Sequence, residues 1–160
     1  MIQIRAARLD DDDALALIDA ATWGPDVSPG PQPLPGASFF GSRTRPVDVL
    51  VAESGAVVGY AGLTRSTPLA SNGHVLVLGG LAVDPDRRRT GAGRLLVEAI
   101  TAEARSRGAR KLSLRVLGPN TAARALYASC GFVTEGILKA EFLLDGQYVD
   151  DILMARHLTE

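Results

Sequence analysis

The chain has 160 residues, with 17 Lys and Arg against 18 Asp and Glu for a formal net charge of −1. At about 150 residues per domain this predicts one domain, and with 46% apolar and 22% charged residues it can bury a core without staples. Near-neutral charge excludes nucleic-acid binding by bulk electrostatics, and a single cysteine excludes a disulfide framework or a cysteine-rich zinc site.

Ile2, Ile4 and Ala6 alternate with Gln3 and Arg5, the period of a half-buried strand. Asp10 to Asp13 then predict the start of a helix over about 11–23, acting as a cap and solvated turn beside the helix dipole. Leu15, Ile18 and Thr22 or Trp23 fall on one face of it. Residues 24–46 hold six of the nine prolines and four glycines, which forbids regular helix and predicts a long lid, a binding loop or a disordered stretch. Phe39 and Phe40 there either cover a pocket or anchor the loop.

Val47 to Glu53 and Val57 to Thr64 flank Ser54-Gly55 and read as a hairpin. Val75 to Val83 reads as a strand buried on both faces, with Gly79-Gly80 marking a bulge or close backbone approach. At nine residues this most apolar run is far short of the ~20 that span a bilayer. With no export-like N-terminus, the expectation is a cytoplasmic protein without a membrane partner. Gly91 to Arg107 carries Leu96, Ile100 and Ala104 at helical spacing, with Gly108 as its stop. Leu112, Leu114 and Val116 alternate as a strand, Asn120 opens a short helix ending before Gly131, and Asp145-Gly146 joins two closing β-rich runs, 132–144 and 147–154. The order β-α-loop-β-β-β-α-β-α-β-β predicts an α/β fold, a mixed sheet with helices on its faces.

The chemistry concentrates where the strand ending Leu81-Ala82-Val83 passes through Pro85 into Arg87-Arg88-Arg89-Thr90-Gly91-Ala92-Gly93-Arg94 and then a helix. Free N–H groups at a helix N-terminus bind anions, glycines admit a phosphate close to the main chain, and guanidinium groups suit its geometry. A di- or triphosphorylated ligand fits. Neither the nucleotide P-loop nor the dinucleotide fingerprint does, because Arg94-Leu95 and Leu96 stand where Lys-Ser/Thr and the third glycine belong.

Arg88-x-x-Gly91-x-Gly93 after that strand resembles the signature of the GNAT superfamily of acetyl-CoA-dependent N-acetyltransferases. Asn120-Thr121-Ala122-Ala123-Arg124-Ala125-Leu126-Tyr127 with Cys130-Gly131-Phe132, and the tail Leu144 to Met154, are similar to later segments of the same family. The resemblance covers most of the chain outside 24–46. It implies a central mixed, mostly antiparallel sheet with a splayed parallel pair and helices on both faces. It also implies that acetyl-CoA, as co-substrate, lays its diphosphate on the main chain of Arg88, Arg89, Thr90, Gly91, Ala92, Gly93 and Arg94. The pantetheine arm would then run beside Leu81 and Val83, near Asn120, with an N–H near Gly79-Gly80 polarising the thioester carbonyl.

The same resemblance makes Tyr127 the acid for the leaving thiolate; its alternative is a half-buried packing aromatic. No residue of 75–83 is acidic, so the base is open: His74 is one candidate, with Glu53, Glu141, Asp150 and ordered water as rivals. Cys130 reads as packing rather than as a nucleophile. The acceptor expected is a primary amine of a small molecule or a protein N-terminus, with 24–46, 65–74 and the closing hairpin framing it. An α-amine, with pKa ~8, demands less of a base than a lysine at ~10.4. No metal or nucleic acid is expected, and a homodimer is left open. The competing readings are a catalytically silent CoA-binding sensor or scaffold and a module for another nucleotide.

Overall fold

The computed structural model describes residues 1–158. Its elements, in chain order, are β1 (Gln3–Ala6), α1 (Asp12–Thr22), β2 (Val49–Ser54), β3 (Ala56–Arg65), β4 (Val75–Val83), α2 (Ala92–Ser106), β5 (Lys111–Leu117), α3 (Thr121–Ser129), β6 (Val133–Leu144) and β7 (Gln147–His157). The strands form one seven-stranded sheet in the order β1-β2-β3-β4-β5-β7-β6. Every pairing is antiparallel except β4 with β5.

Alternation along the strands divides the core between the two faces. Val49, Val51, Tyr60 and Ala82 pack with Leu15 and Ile18 of α1. On the opposite face Ala52, Ala61, Leu63 and Leu114 pack with Leu96, Val97, Ile100 and Ala104 of α2 and with Tyr127 of α3. The expected spacing in α2 is therefore its buried stripe, and Gly108, at φ 89°, ends it in the left-handed conformation that glycine adopts without strain. The closing hairpin turns through Asp145 (φ 51°) and Gly146 (φ 75°), the two positive φ values of a type I′ turn.

The Asp10–Asp13 run departs from the expected cap and solvated turn. Asp11 makes no side-chain cap to α1. It is buried and takes a bidentate pair of 2.9 Å bonds from Arg5 on β1. Asp12 Oδ1 accepts the main-chain N–H groups of Phe39 (3.0 Å) and Phe40 (2.8 Å). Asp11 also accepts the Arg8 main-chain N–H at 2.7 Å, so it closes the turn before α1 while it binds Arg5, and only Asp12 is given over to distant chain.

Two irregularities open the middle of the sheet. On β3–β4, Gly62 faces Gly80 while Leu63 faces Leu78, so Gly79 is an extra residue, the predicted bulge. On the other side, β4 pairs with β5 only over Val75–Val77 against Lys111–Ser113, after which the strands part. Hence only Val75, Leu78 and Ala82 of β4 are fully buried, not both faces of the whole strand. No helix among the described residues is long and apolar enough to cross a membrane.

Candidate active site

A cleft of about 340 Å³ lies where β4 and β5 separate, with Leu78, Gly79, Gly80, Leu81 and Ala82 on one wall and Arg115, Val116, Asn120 and Tyr127 on the other. Beyond Val77 the edge of β4 that faces β5 has no strand partner, so its polar main chain is available to an extended ligand.

The basic loop stands between β4 and α2, at the chain's exit from this wall. Asp84 organises it: Arg87 N–H donates to its carbonyl at 2.8 Å and Asp86 N–H to its side chain at 3.0 Å. Arg89 (φ 63°) and Gly91 (φ 88°) both adopt left-handed backbone, which makes this a tight, irregular turn. Among the described residues, no N–H from Arg88 to Arg94 has an acceptor elsewhere in the chain. Arg88, Arg89, Thr90 and Gly91 are exposed. The donors and shape suit a diphosphate. Arg94 differs from its neighbours in that its guanidinium donates to Ser129 Oγ at 2.8 Å, fastening α2 to α3.

Leu81 lines the cleft and Val83 packs between it and the core. Asn120 lines the cleft while its side chain caps α3 by accepting Ala123 N–H at 3.3 Å. The Tyr127 ring is 8% exposed and leans on Phe132 with centroids 5.9 Å apart. Its hydroxyl has no partner among the described residues, yet no buried side-chain polar atom is left unsatisfied there, so it opens onto the cleft. Burial, and to a lesser degree the neighbouring Cys130, pushes the phenol up to about 12. Cys130 itself is buried in the α2 core cluster, in keeping with packing.

His74 is not brought to the cleft. It is exposed at the start of β4, where its carbonyl accepts from Arg110 and Lys111. Five strand residues at about 3.3 Å each put it some 16 Å from Gly79. Glu53 is committed to Arg5 at 2.8 Å, Glu141 stands 3.9 Å from Arg115, and Asp150 accepts from Ala140 N–H and Lys139, which together hold its carboxyl below the usual range. None of the three lines the cleft.

Sequence reasoning missed the cleft's own polar groups. Asp19, Thr22 and Trp23 stand at i, i+3 and i+4 on one face of α1 and line it. The Tyr60 hydroxyl donates to Asp19 Oδ1 at 2.6 Å; burial first, and then Asp19, drive that phenol far above its ordinary pKa. Arg115 makes a two-point pair with buried Asp151, Nε at 2.6 Å and a terminal nitrogen at 2.5 Å. The proline-rich segment walls the cleft through Val27, Ser28, Pro29, Pro31 and Pro33. Phe39 packs edge-on against Tyr60 at 4.8 Å, so the two phenylalanines anchor this segment rather than cover the pocket.

A cleft at a splayed parallel pair, with the strand on one wall leading into a basic, glycine-containing loop at a helix start, suits an extended, phosphorylated ligand. The chain belongs to the acetyltransferase (GNAT) family, whose model matches residues 14–132. It is 35% identical over 111 residues, 68% of this chain, to the phosphinothricin N-acetyltransferase of Alcaligenes faecalis. That match spans 56% of the relative, and the chain spans about half the length of the curated relatives it matches. The crystal structure of smu.2055 from Streptococcus mutans UA159 superposes with TM-score 0.87 at 32% identity, covering 98% of this chain and 99% of that one. The ribosomal-protein-alanine N-acetyltransferase from Brucella melitensis gives TM-score 0.77 at 28% identity, covering 98% and 99%.

Proposed function

We propose that this chain is an N-acetyltransferase that moves the acetyl group of acetyl-CoA directly to a primary amine. The observation that carries the reading is that one strand, β4, has an open edge along the cleft that holds the Tyr127 hydroxyl and leads in sequence into the loop whose amides, Arg88–Arg94, have no acceptor among the described residues. The diphosphate binds the amides and the pantetheine arm adds to β4 like a strand. The neutral amine attacks the thioester carbonyl carbon, a main-chain N–H at the Gly79 bulge steadies the oxyanion, the nitrogen gives its extra proton to water, and the carbon–sulfur bond breaks as the carbonyl re-forms.

The role of Tyr127 follows from magnitudes. With the phenol near 12 and a thiol near 8.5, full proton transfer to the thiolate is uphill by roughly 4–5 kcal/mol. Tyr127 therefore donates a hydrogen bond to the developing thiolate, and the final proton comes from water. With neither His74 nor an acidic residue of β4 in the cleft, an acceptor that releases its proton easily is favoured, which supports an α-amine. The matched relatives act, by name, on phosphinothricin and on a ribosomal-protein alanine, one small molecule and one protein. Both remain acceptor classes for this chain, working in the cytoplasm.

The test is incubation with acetyl-CoA and an amine panel, following release of free thiol. Amine-dependent thiol supports the reading. CoA binding without thiol release across the panel contradicts it and leaves the silent sensor.

A further inference from the structure

The acceptor half of the cleft carries an electrostatic asymmetry. Asp19 is the only carboxylate lining it among the described residues, and the only cation there, Arg115, is already paired with Asp151. Asp19 has no cationic partner; its one side-chain bond is from the Tyr60 hydroxyl, which fixes Oδ1 and leaves Oδ2 free. The end of α1 forms the same wall and has no basic residue in its last turn, so the negative end of the helix dipole adds to the carboxylate. Beyond Asp19 the surface turns mostly apolar. Trp23 and Ser28 are shared with a second hollow of about 430 Å³, lined also by Pro25, Gly30, Leu143 and Leu144, with Asp145 at the hairpin turn as its one carboxylate among the described residues.

From this arrangement we infer that Asp19, oriented by Tyr60, is the receptor for the acceptor's ammonium group, and that the acceptor is a primary ammonium on an apolar body lying along Trp23. The inference deepens the acetyl-transfer reading and rests on it for the fate of the amine. Capture as a cation concentrates the abundant protonated form near the thioester. On leaving the carboxylate the ammonium gives its proton to water, and the neutral amine attacks. A neutral molecule of equal shape gains only the apolar contact.

Trp23, the single tryptophan, reports binding directly. Its fluorescence is followed while n-hexylammonium or 1-hexanol is titrated into the full chain with CoA present. The expected result is at least tenfold preference for the ammonium, lost in Asp19→Asn with hexanol affinity held within twofold. Thr22→Lys, which sets a cation one turn away without touching the Tyr60 bond, is expected to lose the preference as well. Equal affinity of the wild type for both probes, or an undiminished preference in both variants, overturns the inference. Thermal stabilisation by CoA is measured alongside. If CoA stabilises but the preference is absent, this inference alone falls; if CoA does not stabilise, the acetyl-transfer reading falls and the preference still reports on Asp19.

Discussion

Gly93 of α2 lies against Leu126 of α3 so closely that a Cβ on the glycine would stand 3.1 Å from Leu126 Cδ2. The second glycine of the basic loop is thus a packing requirement between two helices, apart from the phosphate contact proposed for it. Gly91 is the reverse case: nothing lies within 4 Å of its missing Cβ, but its φ of 88° is left-handed. Gly93→Val should cost about 1–3 kcal/mol of stability by overpacking, measured by chemical denaturation. Gly91→Val should strain the turn by about 1–2 kcal/mol, keep the fold by circular dichroism, and weaken CoA at least tenfold by calorimetry because its branched side chain covers the free amides.

Tyr127→Phe tests the hydrogen bond to the thiolate. A bond to a charged group is worth about 1.5–3 kcal/mol, so kcat should fall roughly 10- to 100-fold while KM for acetyl-CoA stays within about twofold. Because burial raises the phenol to about 12, no alkaline loss of wild-type activity through Tyr127 is expected below pH 10. Stability has the matching sign. The unfolded tyrosine ionises near pH 10 and the folded one near 12, so its contribution is whole below 10 and lost between those values, a loss that Tyr127→Phe removes from the pH–stability curve.

Asp12 holds the proline-rich wall by two main-chain bonds. Asp12→Ala should cost about 1–2 kcal/mol and expose 24–46 to limited proteolysis while α2 and α3 stay protected. Cleavage no faster than in the wild type would show that the Phe39–Tyr60 contact suffices to anchor the segment.

Asp11 and Arg5 tie the start of the chain to β2 through Glu53. The bonds from Arg5, ahead of the opposing effect of burial, hold the Asp11 carboxyl below its ordinary value. Its stabilisation is therefore present above the unfolded pKa near 3.8 and lost as pH falls through the lower folded value. Asp11→Asn should destabilise at pH 7 by about 2–3 kcal/mol and flatten the acid limb of the thermal-melt curve.

What was legible in the sequence was local. The helical spacing of Leu96, Ile100 and Ala104, the bulge at Gly79-Gly80, the Asp145-Gly146 turn and the loop from Arg88 to Arg94 each lie within one short stretch, where periodicity and turn chemistry decide the outcome. What was not legible was pairing across the fold. Asp19 meets Tyr60 forty-one positions away, and Arg115 meets Asp151 thirty-six away. Asp12 serves Phe39 and Phe40, twenty-seven and twenty-eight positions away, and Asp11 adds Arg5 to the local turn bond it takes from Arg8. His74, a candidate base for its chemistry, stands just before the paired stretch Val75–Val77, whereas the cleft begins only after the strands part at Leu78, and it is not among the cleft's lining residues.

The central claim is that a diphosphate sits on the bare amides between Arg88 and Arg94. Titrating CoA into 15N-labelled protein and following amide resonances tests it most directly. The account predicts the largest shifts at Arg88–Arg94, with smaller ones along Gly79–Val83. Shifts concentrated elsewhere, with those amides unmoved at saturation, would contradict it.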